Sequence, residues 1–480
     1  MEGVEVSTRH LIGGERVASA STFEDVSPID ETVIAAVARG GVDEAGSAVA
    51  AARIGAERWG AATPKERAEA LHRIADGVEA RVPELAAVET RDNGSLLRSM
   101  RNSVMPRVAR NFRFFADHLM TLSEETKDHD GFAERFAWDP AGVTVVITPW
   151  NAPLMLATWR VAPALAAGNA VVLKPPEWAP LTASILADIV HDAGLPDGAF
   201  NVVQGIGEEA GAALVAHPDV DRVAFTGSVP TGRLVAASAG ANLTPASLEL
   251  GGKSPFVAFA DADIDAVVKQ AVNQFDNAGQ VCLAGTRLIL EASIYDEVVA
   301  RVSELTVAVV QGDPRDEATD LGPQITREHF DRVDGFVQRA KADGAQVVFG
   351  GGPNEDLGGL YYRPTLFAEA PSGSEILTQE VFGPVLTVQS FEDEDEAVAL
   401  GNATEYGLAA ILYTGDEGRA ERVSSRLVAG TVWVNCFFVR DLAAPFGGSR
   451  NSGVGREGGT WSFDFYADVK NVCTAPWERG

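Results

Sequence analysis

The sequence predicts an α/β protein made of two doubly wound domains, and three observations carry that prediction. From residue 141 to residue 249, short apolar runs alternate with helical stretches of roughly 10 to 15 residues, the signature of strands joined by crossover helices. A second series of the same kind begins at Lys253 and runs to about residue 435. The chain is 46% hydrophobic and 22% charged over 480 residues, which suffices for a large core, and the length allows about three structural units at roughly 150 residues each.

Taken in order, the region from residue 40 to about 118 reads helical. Thr63-Pro64-Lys65-Glu66 offers an N-cap, a proline in the first turn and a capping-box glutamate. Leu71, Ile74, Ala75 and Val78 recur at helical spacing, so this helix buries one face. The polar, acidic stretch 119–140 joins neither series. Strands follow at Val143–Ile147, Ala170–Lys174, Asn201–Val203 and Arg222–Thr226, with helices from about Leu154, to about Ala193 and to Ala216 between them. The second series opens with strand Lys253–Phe259 and includes strand Arg287–Glu291, a helix around Tyr295–Val309 and strand Thr431–Asn435. The tail Phe465–Ala475 alternates like a strand. By pattern alone, this tail and residues 119–140 fit arms reaching a partner subunit and solvated loops with a fraying end equally well.

Charge and motifs exclude several classes. Lys and Arg total 39 against 68 Asp and Glu, a formal charge of −29, which repels phosphate backbones and anionic membranes and so predicts no nucleic-acid or membrane partner. The N-terminus lacks a basic segment followed by an apolar one, and no long apolar window is present, so neither secretion nor a membrane span is expected. Three cysteines are too few for a disulfide framework and suit a reducing, cytoplasmic setting. The seven histidines show no HExxH and no Cys/His pair at ligand spacing, so no metal site is expected. Gly205-Ile206-Gly207-Glu208-Glu209-Ala210 has the form of a dinucleotide fingerprint, but two glutamates opening a helix would repel a pyrophosphate, and the segment reads as a turn.

Four segments carry candidate chemistry. Cys282 sits in Ala278-Gly279-Gln280-Val281-Cys282-Leu283-Ala284-Gly285, where a helix should end in a loop. A lone cysteine is more often a small buried hydrophobe than a nucleophile. The balance changes because Glu249-Leu250-Gly251-Gly252-Lys253-Ser254-Pro255 opens the same domain with a carboxylate on a glycine-rich bend. Thr148-Pro149-Trp150-Asn151 lies at the C-terminal end of the first parallel strand, the edge where open α/β sheets bind ligands. Phe225-Thr226-Gly227-Ser228 ends another strand and opens a helix, a place for a diphosphate without a lysine.

With Lys174-Pro175-Pro176-Glu177, Glu380-Val381-Phe382-Gly383-Pro384, Pro445-Phe446-Gly447-Gly448 and Gly453 to Gly458, these segments resemble, in order and spacing, the NAD(P)-dependent aldehyde dehydrogenase superfamily over nearly the whole chain. The resemblance implies an NAD-binding domain (1–118 and 141–249), a catalytic domain (250–449), and a small β oligomerisation arm and tail (119–140 and 450–480) in a homodimer or homotetramer. It implies Cys282 as nucleophile, Asn151 with the Cys282 backbone N–H as oxyanion hole, and Glu249 as the base that activates water against a thioester. NAD would contact Thr148, Pro149, Trp150, Lys174, Glu177, Phe225, Gly227, Ser228, Leu250, Glu380 and Phe382. Lys174 and Glu177 would clamp the adenosine ribose, and the charge of Glu177 would disfavour a 2′-phosphate, so NAD is expected over NADP. The plain alternatives are a snorkelling strand-end Lys174, a core Phe225 and a merely packing Trp150.

On the substrate side, Val104-Met105-Pro106-Arg107, Asn111-Phe112, Ala157-Thr158-Trp159-Arg160, Val439-Arg440-Asp441-Leu442 and Gly455-Arg456-Glu457-Gly458-Gly459 look most like the hydroxymuconic semialdehyde branch. Within it the 5-carboxymethyl-2-hydroxymuconate semialdehyde type is most similar. The substrate implied is a small carboxylated aldehyde from aromatic ring cleavage, met by Arg107, Arg440 and Phe446. Cys436-Phe437-Phe438 departs from this pattern and makes the pocket mouth more apolar than a polyanion calls for. Rival readings are a broad-range or betaine-type enzyme, whose cationic substrate would suit the negative field but not two pocket arginines, and an inactive binding protein on the same fold. The latter would have lost Cys282, Asn151 or Glu249, and all three are present.

Overall fold

The computed structural model describes residues 3–122 and 125–476. The parts of the sequence expectations that fall on residues 1–2, 123–124 and 477–480 lie outside the described residues.

Five strands, Ala246–Glu249, Arg222–Thr226, Val143–Ile147, Ala170–Lys174 and Phe200–Val202, lie side by side in parallel in that spatial order. The chain enters at the middle strand, builds outward through Ala170–Lys174 and Phe200–Val202, then crosses back to lay Arg222–Thr226 on the other side. The crevice between the ends of Val143–Ile147 and Arg222–Thr226 is therefore a topological switch point, the usual ligand crevice of such a sheet. Val143–Ile147 and Ala170–Lys174 are buried at every position. Both faces are covered, which is why they read as nearly continuous apolar runs. Val146, Leu173 and Ala224 face one core, Val145, Val172 and Val223 the other.

The helical region 40–118 resolves into Val42–Gly60, Pro64–Ala80, Val82–Asn93 and Met105–Leu119, the last preceded by a π-helical turn at Met100–Val104. The capping box forms as the sequence predicts: the Glu66 N–H donates to Thr63 Oγ1 (3.3 Å) and the Thr63 N–H to Glu66 Oε2 (2.7 Å). Leu71, Ile74, Ala75 and Val78 are wholly buried, against helix Met105–Leu119 among others. The sequence reading missed the N-terminal strands. His10–Ile12 and Glu15–Val17 extend one edge of the first sheet, and Thr22–Val26 pairs with Val33–Ala38. Short, half-exposed strands such as these carry little alternation to detect.

The second sheet centres on Pro255–Ala258, flanked in parallel by Arg287–Glu291 and Ala409–Tyr413 and continued by Val385–Phe391, Thr365–Ala368 and Thr431–Val434, with Gln346–Phe349 antiparallel at one edge. A third, antiparallel sheet joins Glu125–His129, Phe132–Pro140 and Ala467–Thr474. Its hairpin turns at Asp130-Gly131, both at positive φ (49° and 87°), as a tight primed turn requires. Of residues 450–476, only Ala467–Thr474 enters this sheet. Gly453–Val454 pairs with Leu248–Glu249 at the other edge of the first sheet, and helix Gly459–Tyr466 packs on helix Pro153–Ala167. That excursion carries Glu457 to the side of Glu249.

Candidate active site

A cavity of about 1060 Å³ lies between the two large sheets, and Arg107, Asn151, Glu249, Cys282, Arg440 and Phe446 all line it. The nucleophile candidate follows a tight turn in which Asn277 and Ala278 both take positive φ (50° and 56°), a conformation non-glycine residues hold only under tertiary constraint. The constraint is visible. Asn277 donates through Nδ2 to the Asn151 carbonyl (3.1 Å) and accepts from Ser95 Oγ (2.9 Å), while Gln280 Nε2 donates to the Asn277 carbonyl (3.0 Å). A Cβ at Gly252 would lie 2.7 Å from the Cys282 carbonyl oxygen, and one at Gly279 2.1 Å from the backbone of Gly383. The motif glycines thus let three loops close on the cysteine.

Asn151 Nδ2 donates to the Gln280 carbonyl (2.9 Å), and the amide keeps a second N–H with no partner among the described residues. Burial, then the charges of Glu380 and Glu249, push the Cys282 thiol up to about 12, so it rests neutral. Glu249 ends strand Ala246–Glu249. It is buried, and its Oε1 has no hydrogen-bond partner among the described residues. Burial and the negative charge of Glu457 raise it to about 8, against the pull of Arg160, Arg440 and Arg456.

Arg160 and Glu457 form a buried ion pair (N···O 2.7 Å), with side chains 1% and 2% exposed. Arg160 also donates to Thr226 Oγ1 (2.9 Å) and to the Phe225 carbonyl (3.2 Å). The sequence pattern assigns neither residue a role. One signal was there, a single guanidinium inside the apolar helix Pro153–Ala167, since a buried charge demands a partner.

At the cofactor side, Lys174 is buried rather than snorkelling, and its Nζ lies 2.6 Å from Glu177 Oε2. Burial pushes Glu177 up, but the charge and hydrogen bond of Lys174 outweigh it and hold the carboxyl below its ordinary value. Gly207 packs against this pair, a Cβ there being 3.7 Å from Glu177 Oε1, while Glu209 turns outward to bond Arg39 (2.8 Å). Ser228 caps the 13-residue helix Val229–Ala241 by accepting from the Thr231 N–H (3.3 Å). The Gly227 N–H donates to the Glu249 carbonyl (3.1 Å), Phe225 lies in the core with its ring under Gly227, and Leu250 covers Gly232. The buried Thr148 hydroxyl has no hydrogen-bond partner among the described residues.

Trp150 meets Phe382 and His329 edge-on, with centroids 5.3 and 5.1 Å away. Phe382 sits at φ 60°, and its carbonyl accepts from His329 Nε2 (2.8 Å). Burial lowers His329 to about 4, so it stays neutral. Glu380 accepts from the Gly252 N–H (2.9 Å), burial raises it to about 7, and Arg332 donates to the Glu380 and Val381 carbonyls. His329 and Arg332 had no signal in the sequence.

On the substrate side, the guanidinium carbons of Arg107 and Arg440 lie 5.5 and 5.2 Å from the Trp159 ring centre, and that of Arg440 lies 3.7 Å from the Phe446 ring centre. Arg107 Nε donates to Asn111 Oδ1 (2.8 Å), and among the described residues neither arginine meets a carboxylate at ion-pair distance. Phe437 and Phe438 line the same cavity. Among the described residues there is no cluster of His, Cys, Asp and Glu able to hold a metal ion, and no helix long and apolar enough to cross a membrane.

Two α/β sheets face one cleft on which a cysteine, a carboxylate and an amide converge, an arrangement suited to covalent chemistry through a thiol. The sequence pattern of the Aldehyde dehydrogenase family matches residues 16–472, and the chain belongs to that family. It is 44% identical to a 2-hydroxymuconic semialdehyde dehydrogenase of Pseudomonas sp. (strain CF600), over 97% of this chain and 99% of that protein. It is 40% identical to a 2-aminomuconic semialdehyde dehydrogenase of Danio rerio, over 96% and 97% of the two chains. Among solved structures, a betaine aldehyde dehydrogenase from Staphylococcus aureus in complex with NAD+ superposes with a TM-score of 0.96 at 36% identity, covering 99% of this chain and 97% of the other. The protein is an aldehyde dehydrogenase that takes a small-molecule aldehyde and uses NAD. The residues present suit that cofactor: a held carboxylate for ribose hydroxyls at Glu177, a helix N-terminus behind Gly227 for a diphosphate, and an unpartnered Thr148 hydroxyl.

Proposed function

We propose that the protein oxidises a carboxylated semialdehyde, of the kind released by aromatic ring cleavage, to the corresponding acid through a thioester on Cys282. One observation carries the substrate class: Arg107 and Arg440 come together over Trp159 without a carboxylate partner at ion-pair distance among the described residues, in a chain of net charge −29. A planar guanidinium fork suits a carboxylate by two parallel hydrogen bonds. The relatives named for 2-hydroxymuconic and 2-aminomuconic semialdehydes act on aldehydes of this class and support the reading. A cationic betaine-type aldehyde would meet the positive charges of Arg107 and Arg440 on this wall.

In this reading the Cys282 thiol passes its proton to water in the cleft and attacks the aldehyde carbon, and the Asn151 amide with the Cys282 backbone N–H holds the charge that gathers on oxygen. NAD, when bound, supplies the hydride acceptor. Lys174 and Glu177 hold its adenosine ribose, favouring NAD over NADP. Gly227 and Ser228 face its diphosphate, Glu380 and Phe382 the nicotinamide end, with Trp150 packed behind. Glu249 then takes a proton from water, which attacks the thioester and frees Cys282. The Arg160–Glu457 pair fixes the field in which Glu249 titrates. The domain division at 1–118 and 141–249, 250–449, and 119–140 with 450–480 belongs to the same proposal. So do a homodimer or homotetramer joined through the three-stranded sheet, a cytoplasmic setting, and the absence of nucleic-acid or membrane partners.

The test is Arg440→Ala, assayed by NADH formation on a carboxylated semialdehyde and a neutral aldehyde of similar length. We expect kcat/KM to fall about 10- to 100-fold on the first, roughly 1.5 to 3 kcal/mol for a lost hydrogen bond to a charged group, and to change little on the second. Equal losses on both would remove the physical basis for a carboxylated substrate.

A further inference from the structure

Resting on the reading of Asn151 as an oxyanion donor, we propose that Asn277 and Gln280 are positioning residues that set the oxyanion hole by closing a ring of hydrogen bonds with Asn151. In the ring each side-chain amide donates to the backbone carbonyl of the next member. Asn151 Nδ2 donates to the Gln280 carbonyl (2.9 Å), Gln280 Nε2 to the Asn277 carbonyl (3.0 Å), and Asn277 Nδ2 to the Asn151 carbonyl (3.1 Å). All three residues line the cavity together with Cys282.

Closure has a mechanical consequence. An amide held by a single bond can swing, but a member of a closed ring cannot turn without breaking a bond, and bonds in such a chain polarise one another. The ring takes up one N–H of the Asn151 amide. Because the amide is planar, the direction of its other N–H is then fixed, and that is the one left for an oxygen in the cleft. The ring also ties the two donors of the hole to each other. Asn151 follows strand Val143–Ile147 of the first sheet, whereas Asn277, Gln280 and the Cys282 N–H belong to the loop beyond helix Ile264–Asn273. Donors from two segments stabilise a developing charge only if their separation is set before the charge appears.

The surroundings hold the ring in one arrangement. Ser95 Oγ donates to Asn277 Oδ1 (2.9 Å), which turns the nitrogen of that amide toward Asn151. The Ser95 N–H donates to Asn93 Oδ1 (2.9 Å), and Asn93 Nδ2 donates to the Trp150 carbonyl (3.4 Å), so one segment braces both sides. From a third segment, the Ile325 N–H donates to Gln280 Oε1 (3.0 Å) and Gln324 Nε2 to the Ala278 carbonyl (3.0 Å). Gln280 and Gln324 are 2% and 0% exposed. Asn277 holds φ at 50°, a left-handed conformation that asparagine tolerates better than most residues, so one side chain serves the turn and the ring together.

The experiment follows first-turnover NADH formation by stopped flow at saturating aldehyde in the wild type, Asn277→Gly, Asn151→Ala and the double variant, on a neutral and a carboxylated aldehyde. Glycine keeps the left-handed turn and removes the donor. We expect Asn277→Gly to slow the first turnover about tenfold and Asn151→Ala about 100-fold. Both losses should be equal on the two aldehydes, since each forms the oxyanion, with KM for aldehyde and Kd for NAD within about twofold of the wild type. In the Asn151→Ala background Asn277→Gly should slow the reaction no further, because a residue acting through that amide has nothing left to position. Ser95→Ala, a milder change, loosens the same amide and should cost about threefold, again only when Asn151 is present. It carries the test if Asn277→Gly no longer binds NAD in a fluorescence titration. Additive losses in the double variant, a loss confined to the carboxylated aldehyde, or a raised KM with an unchanged first turnover would overturn the ring and leave Asn151 as donor. An Asn151→Ala enzyme as fast as the wild type would instead overturn the oxyanion reading, and the ring with it.

Discussion

Glu249 and Glu457 are buried carboxyls that share the influence of one arginine, and the ion pair formed by Glu457 leaves Glu249 as the member without a partner. Its raised value, about 8, means that near neutral pH most of it is protonated, yet a base must be ionised to accept a proton from water. If it drives deacylation, kcat rises with pH up to about 8 and then levels off. In Glu249→Gln, stopped-flow NADH absorbance should show a burst of about one NADH per competent site followed by slow turnover, and the pH rise in that slow phase should vanish. A lost burst with the same overall slowing would place Glu249 in acylation instead. The thiol is tied to the same balance, because the charge of Glu249 is among the causes that hold Cys282 neutral.

At the scale of elements, helix Met105–Leu119 carries Arg107 and Arg110, and it rests on helix Pro64–Ala80. The lower helix starts at the Thr63–Glu66 capping box, which satisfies two backbone N–H groups that would otherwise lack partners. Thr63→Ala removes one of those bonds and should cost about 1 kcal/mol. A lower urea midpoint with an unchanged kcat is the expected result. A fall in kcat of comparable size would mean that the cap also sets the position of the arginine helix. The glycines of the catalytic loops act differently, since at Gly252 and Gly279 it is close backbone approach that forbids a side chain.

Across the whole molecule, buried carboxyls set the dependence of stability on pH. Burial raises Asp25, Glu89 and Glu380 to about 7 and Glu249 to about 8, from ordinary values of 3.8 for Asp and 4.5 for Glu. Between those limits the folded state binds more protons than the unfolded chain, so stability falls as pH rises through the window. His329, lowered to about 4 from 6.5, works in the opposite sense below pH 6.5, and Lys253, lowered to about 7 from 10.5, opposes the carboxyls above 7. The net fall should therefore show between pH 6.5 and 8 and be steepest near the lower end. Calorimetric Tm values of the cofactor-free protein across that range test it, and a Tm that rises there would contradict it. Glu89→Gln should flatten part of the slope, because an amide oxygen can still accept from Thr182 Oγ1 and the Leu154 N–H without a charge to bury.

By itself the sequence determined the alternating α/β architecture. Strands Val143–Ile147, Ala170–Lys174, Arg222–Thr226 and Arg287–Glu291 occupy the residues read from it, because a strand covered on both faces reads as a nearly continuous apolar run, here with polar residues mostly at the ends. The candidates Cys282, Glu249 and Asn151 stand out in the sequence because each sits in a local motif of glycines or at a strand end, and the fold brings all three to one cavity. Tertiary structure alone decided the rest. The Arg160–Glu457 pair, the His329 contact with Phe382 and the meeting of Arg107 with Arg440 join residues from distant segments. Local pattern records which face of an element is apolar, but the partner of a buried charge is chosen by packing between elements, and no spacing along the chain encodes it.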